Sequence, residues 1–241
     1  MRIDRRLRAT KLKNTCQYCK NITKMEKCAM NKYSVVLILI VPLCAFFLMQ
    51  CDEEPVTLTD AEIKEWQEKM RNTEAVPVEK GEIAVLETSM GIIKFKFFTD
   101  VAPNHCANFK KLANSGFYDW TLFHRVIPGF MIQGGDINSK NANPNDDGTG
   151  SPGYTIDAEF SALSHVRGIV STARKGDDIN SAGSQFFIVH ADNPGLDGNY
   201  TVFGEVIEGM DVVDAIANAP RNERDRPNKN VYIKNAWVIK Q

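Results

Sequence analysis

The sequence has no excess of charge of either sign, with 29 Lys and Arg against 30 Asp and Glu and a formal net charge of −1. Proteins that bind nucleic acid through a basic surface carry a clear excess of positive charge. The balance argues against a nucleic-acid partner, and we expect none. Hydrophobic residues make up 43% of the chain, which is typical of a folded protein rather than a disordered one.

Cysteine is almost absent from the part of the chain that has a globular pattern. Of the six cysteines, only Cys106 lies beyond residue 51, and a single thiol cannot form an internal disulfide. The fold is therefore expected to depend on its hydrophobic core. The four histidines do not have the spacing of zinc ligands, so we predict neither a metal nor a cofactor.

The apolar run from Val35 to Met49 falls short of the roughly 20 residues that a membrane-spanning helix needs. It follows a basic segment, and its length suits the apolar region of a signal peptide. The run ends at Cys51, and an apolar run that ends in a cysteine resembles a bacterial lipoprotein signal, in which the cysteine is lipidated. Gln50 departs from that pattern, which has a small residue before the cysteine.

Residues 1–51 are therefore predicted to be a basic head plus a signal, lipoprotein or membrane-anchor segment. Signal peptides rarely carry so long a head, so we expect translation to begin at Met25 or Met30 rather than at Met1. The alternatives to lipidation of Cys51 are an uncleaved single-pass anchor and a secreted protein. The expected location is the cell envelope, with the protein attached to a membrane, periplasmic or secreted.

Residues 52–80 are polar and are predicted to form a tether with one short helix. Thr59 stands where a helix N-cap would lie, and Glu62 occupies the capping-box position three residues later. Ile63, Trp66 and Met70 then recur at helical spacing. We expect a short amphipathic helix that packs loosely on the domain after it.

Residues 81–241 have the pattern of one domain made mainly of short strands. Residues 83–88 and 92–98 read as a hairpin that turns at Gly91. Residues 102–115 and 210–218 have apolar residues at helical spacing, and residues 231–239 read as a closing strand. Many short strands with two isolated helices favour a β-barrel or sandwich with helical caps.

Four segments of this domain carry its most specific motifs: FHRVIPGFMIQGGD (123–136), GTGSPGYTIDAEF (148–160), GSQFF (183–187) and LDGNYTVFG (196–204). Together they closely resemble the cyclophilin family, in the expected order and over essentially all of residues 81–241, in a form more similar to bacterial members. The resemblance implies a closed eight-stranded antiparallel β-barrel with two α-helices. It also implies a monomeric peptidyl-prolyl cis/trans isomerase that assists protein folding by acting on unfolded or flexible proline-containing polypeptides.

This reaction needs no nucleophile, metal or cofactor, because no covalent bond is broken. Rotation about the peptide bond faces a barrier of about 18–20 kcal/mol, since the nitrogen lone pair is delocalised into the carbonyl group. A catalyst needs an apolar pocket for the proline ring and a donor that bonds the prolyl nitrogen as its lone pair localises. That hydrogen bond favours the transition state over the ground state.

Matched motif by motif, the resemblance implies that Arg125 is this donor and that Gln133 holds its guanidinium and bonds the substrate backbone. It places the proline pocket at Phe130, Met131, Phe187 and Leu196, with peptide-backbone contacts from Ala173, Arg174 and Gln185. Tyr200 stands where many family members have histidine and is expected to form a wall of the pocket. The alternative function is a proline-peptide-binding or holdase module with little turnover.

Overall fold

The computed structural model describes Pro55 and residues 57–241. The predictions made for residues 1–51, including the signal segment and Cys51, lie outside the described residues. Within the described part of the chain, no helix is both long and apolar enough to cross a membrane.

The first described helix, α1 (Asp60–Asn72), begins with the predicted capping box. The Thr59 hydroxyl accepts a hydrogen bond from the Glu62 amide at 3.3 Å, and the Thr59 amide donates to the Glu62 carboxylate at 2.9 Å. The helix packs more closely than expected, because Ile63 and Met70 are buried in the main core. Trp66 meets Phe117 edge to face at a ring distance of 6.2 Å.

The rest of the described chain consists of nine β-strands, two further α-helices and two short 3-10 helices, at Asn138–Lys140 and Pro194–Leu196. In chain order the strands and α-helices are β1 (Glu82–Thr88), β2 (Gly91–Phe97), α2 (Pro103–Asn114), β3 (Thr121–Leu122), β4 (Arg125–Ile127), β5 (Met131–Gly134), β6 (Ile169–Thr172), β7 (Phe186–Val189), β8 (Val202–Glu208), α3 (Met210–Ala217) and β9 (Tyr232–Lys240).

The strands form one curled antiparallel sheet in the order β3-β9-β1-β2-β8-β6-β7-β5-β4. Its two edge strands, β3 and β4, are separated in sequence only by Phe123 and His124. The short segment from Thr121 to Ile127 thus connects one edge of the sheet to the other, which requires the sheet to curl.

The resemblance implied eight strands, whereas nine are present in the described residues. The extra strand arises because the segment from Thr121 to Ile127 is divided: its first part pairs with β9 and its second part with β5. These two parts are not hydrogen-bonded to each other as strands, so the sheet is curled rather than closed by a continuous ladder.

An aromatic core fills the inside of the curled sheet. Phe109 of α2 lies at its centre, with its ring 5.0 Å from those of Phe95 and Tyr118, 5.5 Å from Phe186 and 5.7 Å from Phe203. Aromatic side chains bury the largest apolar areas, and edge-to-face contacts add to that stabilisation. This core is what holds α2 against the strands.

Cys106 also lies in this core, where its thiol donates to the Phe203 carbonyl at 3.3 Å. Burial raises the pKa of the Cys106 thiol to about 12. The residue therefore acts as a small apolar core side chain rather than a reactive thiol.

We predict that Met70→Ala destabilises the domain by about 2–5 kcal/mol, because truncating a fully buried methionine loses apolar burial and leaves a cavity. Glu65→Ala is the matched control, since Glu65 is exposed on the same helix. Urea denaturation of residues 52–241 measures both. Equal stability of the two variants would show that α1 does not contribute to the core.

Candidate active site

A row of paired residues crosses four neighbouring strands of the sheet. Arg125 on β4 pairs with Gln133 on β5, Gln133 pairs with Phe187 on β7, and Phe187 pairs with Ser171 on β6. Directly paired residues place their side chains on the same face of a sheet, and successive residues alternate between faces. The neighbours Val126, Ile132, Phe186 and Val170 all belong to the main core. The row therefore lies on the opposite face, away from that core.

A second apolar cluster covers this face. Its buried members are Met131, Ile169, Phe187, Val189 and Val202, and the partly buried side chains packed against them are Phe98, Ile127, Phe130, Ala173, Leu196 and Tyr200. The structure thus brings together all five residues predicted to line a proline pocket, and Ala173 with them. Their partial exposure leaves an apolar surface open to a ligand.

Sequence reasoning missed part of this cluster. Ile127 and Val189 each lie two residues after a predicted site residue on the same strand, so the alternation of strand side chains could have identified them. Val202 lies two residues after the predicted Tyr200 in the same motif. Phe98 and Ile169 come from other segments, and no local pattern connects them to the site.

His165, which the sequence did not single out, lies beneath the cluster. Its ring is buried and stacks on Phe187 at 6.0 Å with an interplanar angle of 19°. Its Nδ1 lies 3.0 Å from the Asp197 carboxylate and its Nε2 lies 3.2 Å from the Ser171 hydroxyl. With both ring nitrogens engaged, the imidazole gives Phe187 a fixed support.

Tyr200 packs against the cluster with part of its surface exposed. Its ring meets Phe187 edge to face at 5.6 Å, and the Arg174 guanidinium carbon lies 5.0 Å from its centre. Arg174 is also held by the Asn199 carbonyl, to which its Nε donates at 2.8 Å. A guanidinium over an aromatic face is an attractive cation–π contact, so it restrains Tyr200.

Gln133 makes a contact that the sequence did not predict: its Nε2 donates to Gln185 Oε1 at 3.0 Å. This bond leaves the Gln133 amide oxygen, the atom that would accept from the Arg125 guanidinium, unused. Gln185 in turn donates to the carbonyls of Gly148 and Gly150, both at 2.9 Å. The two glutamines therefore form a chain from the centre of the sheet to the loop at residues 148–150.

Arg125 is the exposed end of the row, with 44% of its side chain accessible. Among the described residues its charged partner is Asp225, whose carboxylate lies 3.8 Å from Arg125 Nε. No described residue receives a hydrogen bond from its terminal nitrogens, so these are available to a ligand on the apolar cluster.

A cavity of about 490 Å³ adjoins the glutamines. Its lining includes Gln133, Gln185, Thr149, Ala173 and Arg174. Three of the predicted backbone-binding residues, Ala173, Arg174 and Gln185, thus lie beside the apolar cluster rather than within a separate site.

A buried carboxylate fixes the loop that borders this cavity. Asp136 accepts hydrogen bonds from the amides of Asn138, at 2.9 Å, and of Gly148. A side chain at Gly150 would collide with the same carboxylate, so the loop can approach only because that residue is glycine. Burial raises the pKa of Asp136 to about 6.

His124 is another buried titratable group near this loop. Burial lowers its pKa to about 4, and its ring nitrogens have no hydrogen-bond partner among the described residues. It therefore lies next to Arg125 in sequence as a neutral side chain inside the protein, and not as a second charge at the site.

Comparisons with known proteins identify one family. The family model for cyclophilin type peptidyl-prolyl cis-trans isomerase/CLD matches residues 83–238. A peptidyl-prolyl cis-trans isomerase of Synechococcus elongatus is 47% identical over 140 residues, which cover 57% of this chain and 90% of the relative. Peptidyl-prolyl cis-trans isomerase B of Bacillus subtilis is 47% identical over 128 residues, covering 52% of this chain and 83% of the relative.

A solved structure is also similar. The cyclophilin type peptidyl-prolyl cis-trans isomerase of Cryptosporidium parvum, determined in the presence of the dipeptide Ala-Pro, superposes with a TM-score of 0.60 at 34% identity. The match covers 66% of this chain and 99% of that one.

The two buried groups are predicted to have opposite effects on the pH dependence of stability. The unfolded state binds the His124 proton that the folded state lacks between pH about 4 and 6.5, so this group makes stability rise with pH. The folded state holds the Asp136 proton that the unfolded state has lost between pH about 3.8 and 6, so this group makes stability fall with pH. In wild type the two contributions largely offset each other.

Asp136→Asn should remove the Asp136 contribution to the pH dependence of stability and leave that of His124. We expect the unfolding free energy of this variant to rise with pH more steeply than that of wild type, by about 1.4 kcal/mol per pH unit between pH 4 and 6. His124→Phe should shift the slope in the opposite direction. Urea titrations at several pH values measure the slopes, and parallel curves for all three proteins would contradict the assignment.

Proposed function

The chain belongs to the cyclophilin type peptidyl-prolyl cis-trans isomerase family, and we propose that it isomerises X-Pro bonds at the face formed by Arg125 and the second apolar cluster. Peptidyl-prolyl isomerisation is the activity of the domain. The observation that supports the placement is that one exposed guanidinium without a bonded acceptor lies at the end of a row that leads into an open apolar cluster.

The apolar cluster is the proposed binding site of the proline ring. Met131 and Phe187 form its buried floor, and Phe130, Leu196 and Tyr200 stand around it with part of their surface exposed. Burying apolar surface contributes roughly 25 cal/mol per Å², so an open apolar pocket favours a ring without polar atoms. When the pocket holds the proline ring in place, the acyl side of the peptide bond can rotate relative to it.

Arg125 is the proposed catalytic donor. As the bond twists, the lone pair localises on the prolyl nitrogen, and a guanidinium N–H can then donate to it. The ground state has no such acceptor, so the hydrogen bond lowers the barrier instead of merely tightening substrate binding. The fork of the guanidinium also has a second N–H, which can bond the substrate carbonyl in the same geometry.

The two glutamines and the adjoining cavity are proposed to hold the peptide on the side before the proline. The Gln133–Gln185 hydrogen bond uses the amide nitrogen of Gln133, which leaves its amide oxygen to accept a substrate N–H. The Arg174 side chain is already held by the Asn199 carbonyl and the Tyr200 ring. A proline-containing polypeptide would therefore cross a preorganised surface, which limits the entropy lost on binding.

The donor and the pocket together can account for the reduction in the isomerisation barrier that catalysis requires. Uncatalysed X-Pro exchange takes tens to hundreds of seconds, and a millisecond reaction requires the barrier to fall by roughly 6–7 kcal/mol. One preorganised donor contributes about 3–4 kcal/mol. The proline pocket and the positioning of the acyl side would supply the remainder. A holdase without turnover would not need the exposed guanidinium beside the pocket.

We expect Arg125→Ala to fold normally and to reduce kcat/KM by roughly 10²–10³, the effect of losing one preorganised donor. Arg125→Lys should lose most of the activity as well, because an ammonium group does not reproduce the planar fork. Arg224→Ala is the matched control, since Arg224 is exposed and bonds Asn145 rather than the apolar cluster. A protease-coupled assay with a proline peptide measures all three.

The circular dichroism spectrum and Tm of each variant establish that the fold is intact. Near-wild-type activity of a folded Arg125→Ala protein would overturn the proposed mechanism, although not the family membership.

We also propose that the enzyme acts in the cell envelope and is attached to a membrane through Cys51. The support comes from the sequence: a basic segment, an apolar run too short to span a bilayer comfortably, and a cysteine at its end. A single acyl chain gives only marginal membrane binding, so stable attachment needs the several chains of a lipoprotein. In this location the substrates would be exported polypeptides that have not yet folded.

Cys51→Ser should therefore move the protein out of the membrane fraction or leave an unprocessed precursor. Cys44→Ser is the matched control, because Cys44 lies inside the same apolar run. Cell fractionation of a bacterial host and intact-mass analysis of the native N-terminus measure the outcome. A wild-type protein that keeps residues 30–50 and has no lipid mass on Cys51 would favour an uncleaved anchor instead.

A further inference from the structure

The loop before β9 brings a carboxylate to the proposed catalytic arginine. Asp225 has a left-handed backbone with φ of +60°, which is unusual for a residue other than glycine. Its amide donates to the Asn222 carbonyl at 3.0 Å, and its carbonyl accepts from the Val126 amide at 2.8 Å. The second contact joins the loop to β4 one residue after Arg125, so Asp225 is held beside that side chain by the backbone itself.

The loop around Asp225 is further fixed by Asn222. The Asn222 side-chain oxygen accepts from the amides of Arg224, at 2.9 Å, and Arg226, at 3.1 Å. Arg226 also donates to the Asp147 carboxylate at 2.6 Å. A backbone conformation in a sparsely populated region persists only where its surroundings determine it, and such residues occur preferentially at functional sites.

The Asp225 carboxylate has two cationic neighbours. One oxygen lies 3.1 Å from Arg221 Nε, and the other lies 3.8 Å from Arg125 Nε. The carboxylate thus faces the Nε side of the Arg125 guanidinium and leaves the terminal nitrogens free. The amide nitrogen of Gln133 bonds Gln185, so Asp225 is the anionic group among the described residues that faces this guanidinium.

We propose that Asp225 is a positioning residue for the reaction: its carboxylate orients the Arg125 guanidinium from the Nε side so that its terminal N–H groups face the substrate. The inference rests on the proposed role of Arg125. A long, exposed arginine side chain loses substantial rotamer entropy when it is ordered. The Asp225 carboxylate, fixed beside Arg125 Nε, already restricts the rotamers of Arg125. Less side-chain entropy is then lost when the guanidinium bonds the transition state.

The test compares Asp225→Asn with Arg221→Ala. Asparagine is isosteric and tolerates the left-handed backbone, so Asp225→Asn keeps the loop and removes only the charge. Arg221→Ala removes the ion pair within the loop and leaves the Asp225 contact with Arg125 in place. The two variants therefore separate the positioning of Arg125 from the stability of the loop.

We expect Asp225→Asn to lower kcat about two- to fivefold at low salt, the range that an exposed ion pair can supply. KM should change less than kcat, because the hydrogen bond to the prolyl nitrogen forms only in the transition state. Arg221→Ala should retain wild-type kcat. A decrease in kcat that is equal in both variants would show that Asp225 acts only through the loop, and would overturn the proposal.

Salt and NMR give readouts that a purely structural role would not change. Raising salt to about 1 M shortens the screening length to roughly 3 Å, so wild-type kcat should fall toward that of Asp225→Asn while the variant itself responds little. In ¹⁵N spectra, the Arg125 Nε–H signal, identified by its loss in Arg125→Ala, should shift in Asp225→Asn and stay in place in Arg221→Ala.

Arg125→Ala, assayed in parallel, keeps the two levels of the proposal distinct. If Arg125→Ala is inactive and Asp225→Asn has the kcat and the Arg125 signal of wild type, the positioning role is refuted and the catalytic role stands. If the folded Arg125→Ala protein is active, the catalytic role fails first.

Discussion

The alternation of side chains across paired antiparallel strands is the constraint on which both the core and the site depend. Phe186 and Phe187 are adjacent on β7, yet one packs in the aromatic core and the other forms the floor of the outer cluster. The same alternation separates Val126 from Arg125 and Ile132 from Gln133. The site is therefore attached directly to the packed core, because every site residue on these strands has a core residue as its neighbour.

Loops complete the site, and each is fixed by a buried or strained group. Asp136 holds the loop at residues 148–150, whose carbonyls receive the hydrogen bonds of Gln185. His165 supports Phe187 from beneath through contacts with Asp197 and Ser171. Burying such polar groups is unfavourable unless their hydrogen bonds are satisfied. Their presence around the cluster is consistent with a surface that has to be ordered before the substrate arrives.

This arrangement suits a reaction in which no bond is made or broken. Amide rotation needs a fixed ring on one side, freedom on the other and one donor aimed at a lone pair that exists only in the transition state. The apolar cluster, the open face near Arg125 and the exposed guanidinium correspond to these three requirements. In the proposed mechanism catalysis depends on the orientation of one side chain, and a charge at the base of Arg125 would help to fix that orientation.

Local patterns in the sequence were sufficient for much of the molecule. The Thr59–Glu62 capping box, the first hairpin and both helices of the domain follow from spacing within one segment, since these structures are stabilised by contacts between near neighbours. The long motifs brought the family resemblance, and with it Arg125 and the five pocket residues that the structure gathers in one cluster.

Tertiary structure alone decided the remainder, because it depends on contacts between residues far apart in the chain. Gln133 on β5 donates to Gln185, the residue before β7, and no feature of either segment predicts this contact. Asp225 lies beside Arg125 only because β4 and the loop before β9 meet. The strand count likewise depends on where the segment from Thr121 to Ile127 changes partners, and that point is set by the curvature of the whole sheet.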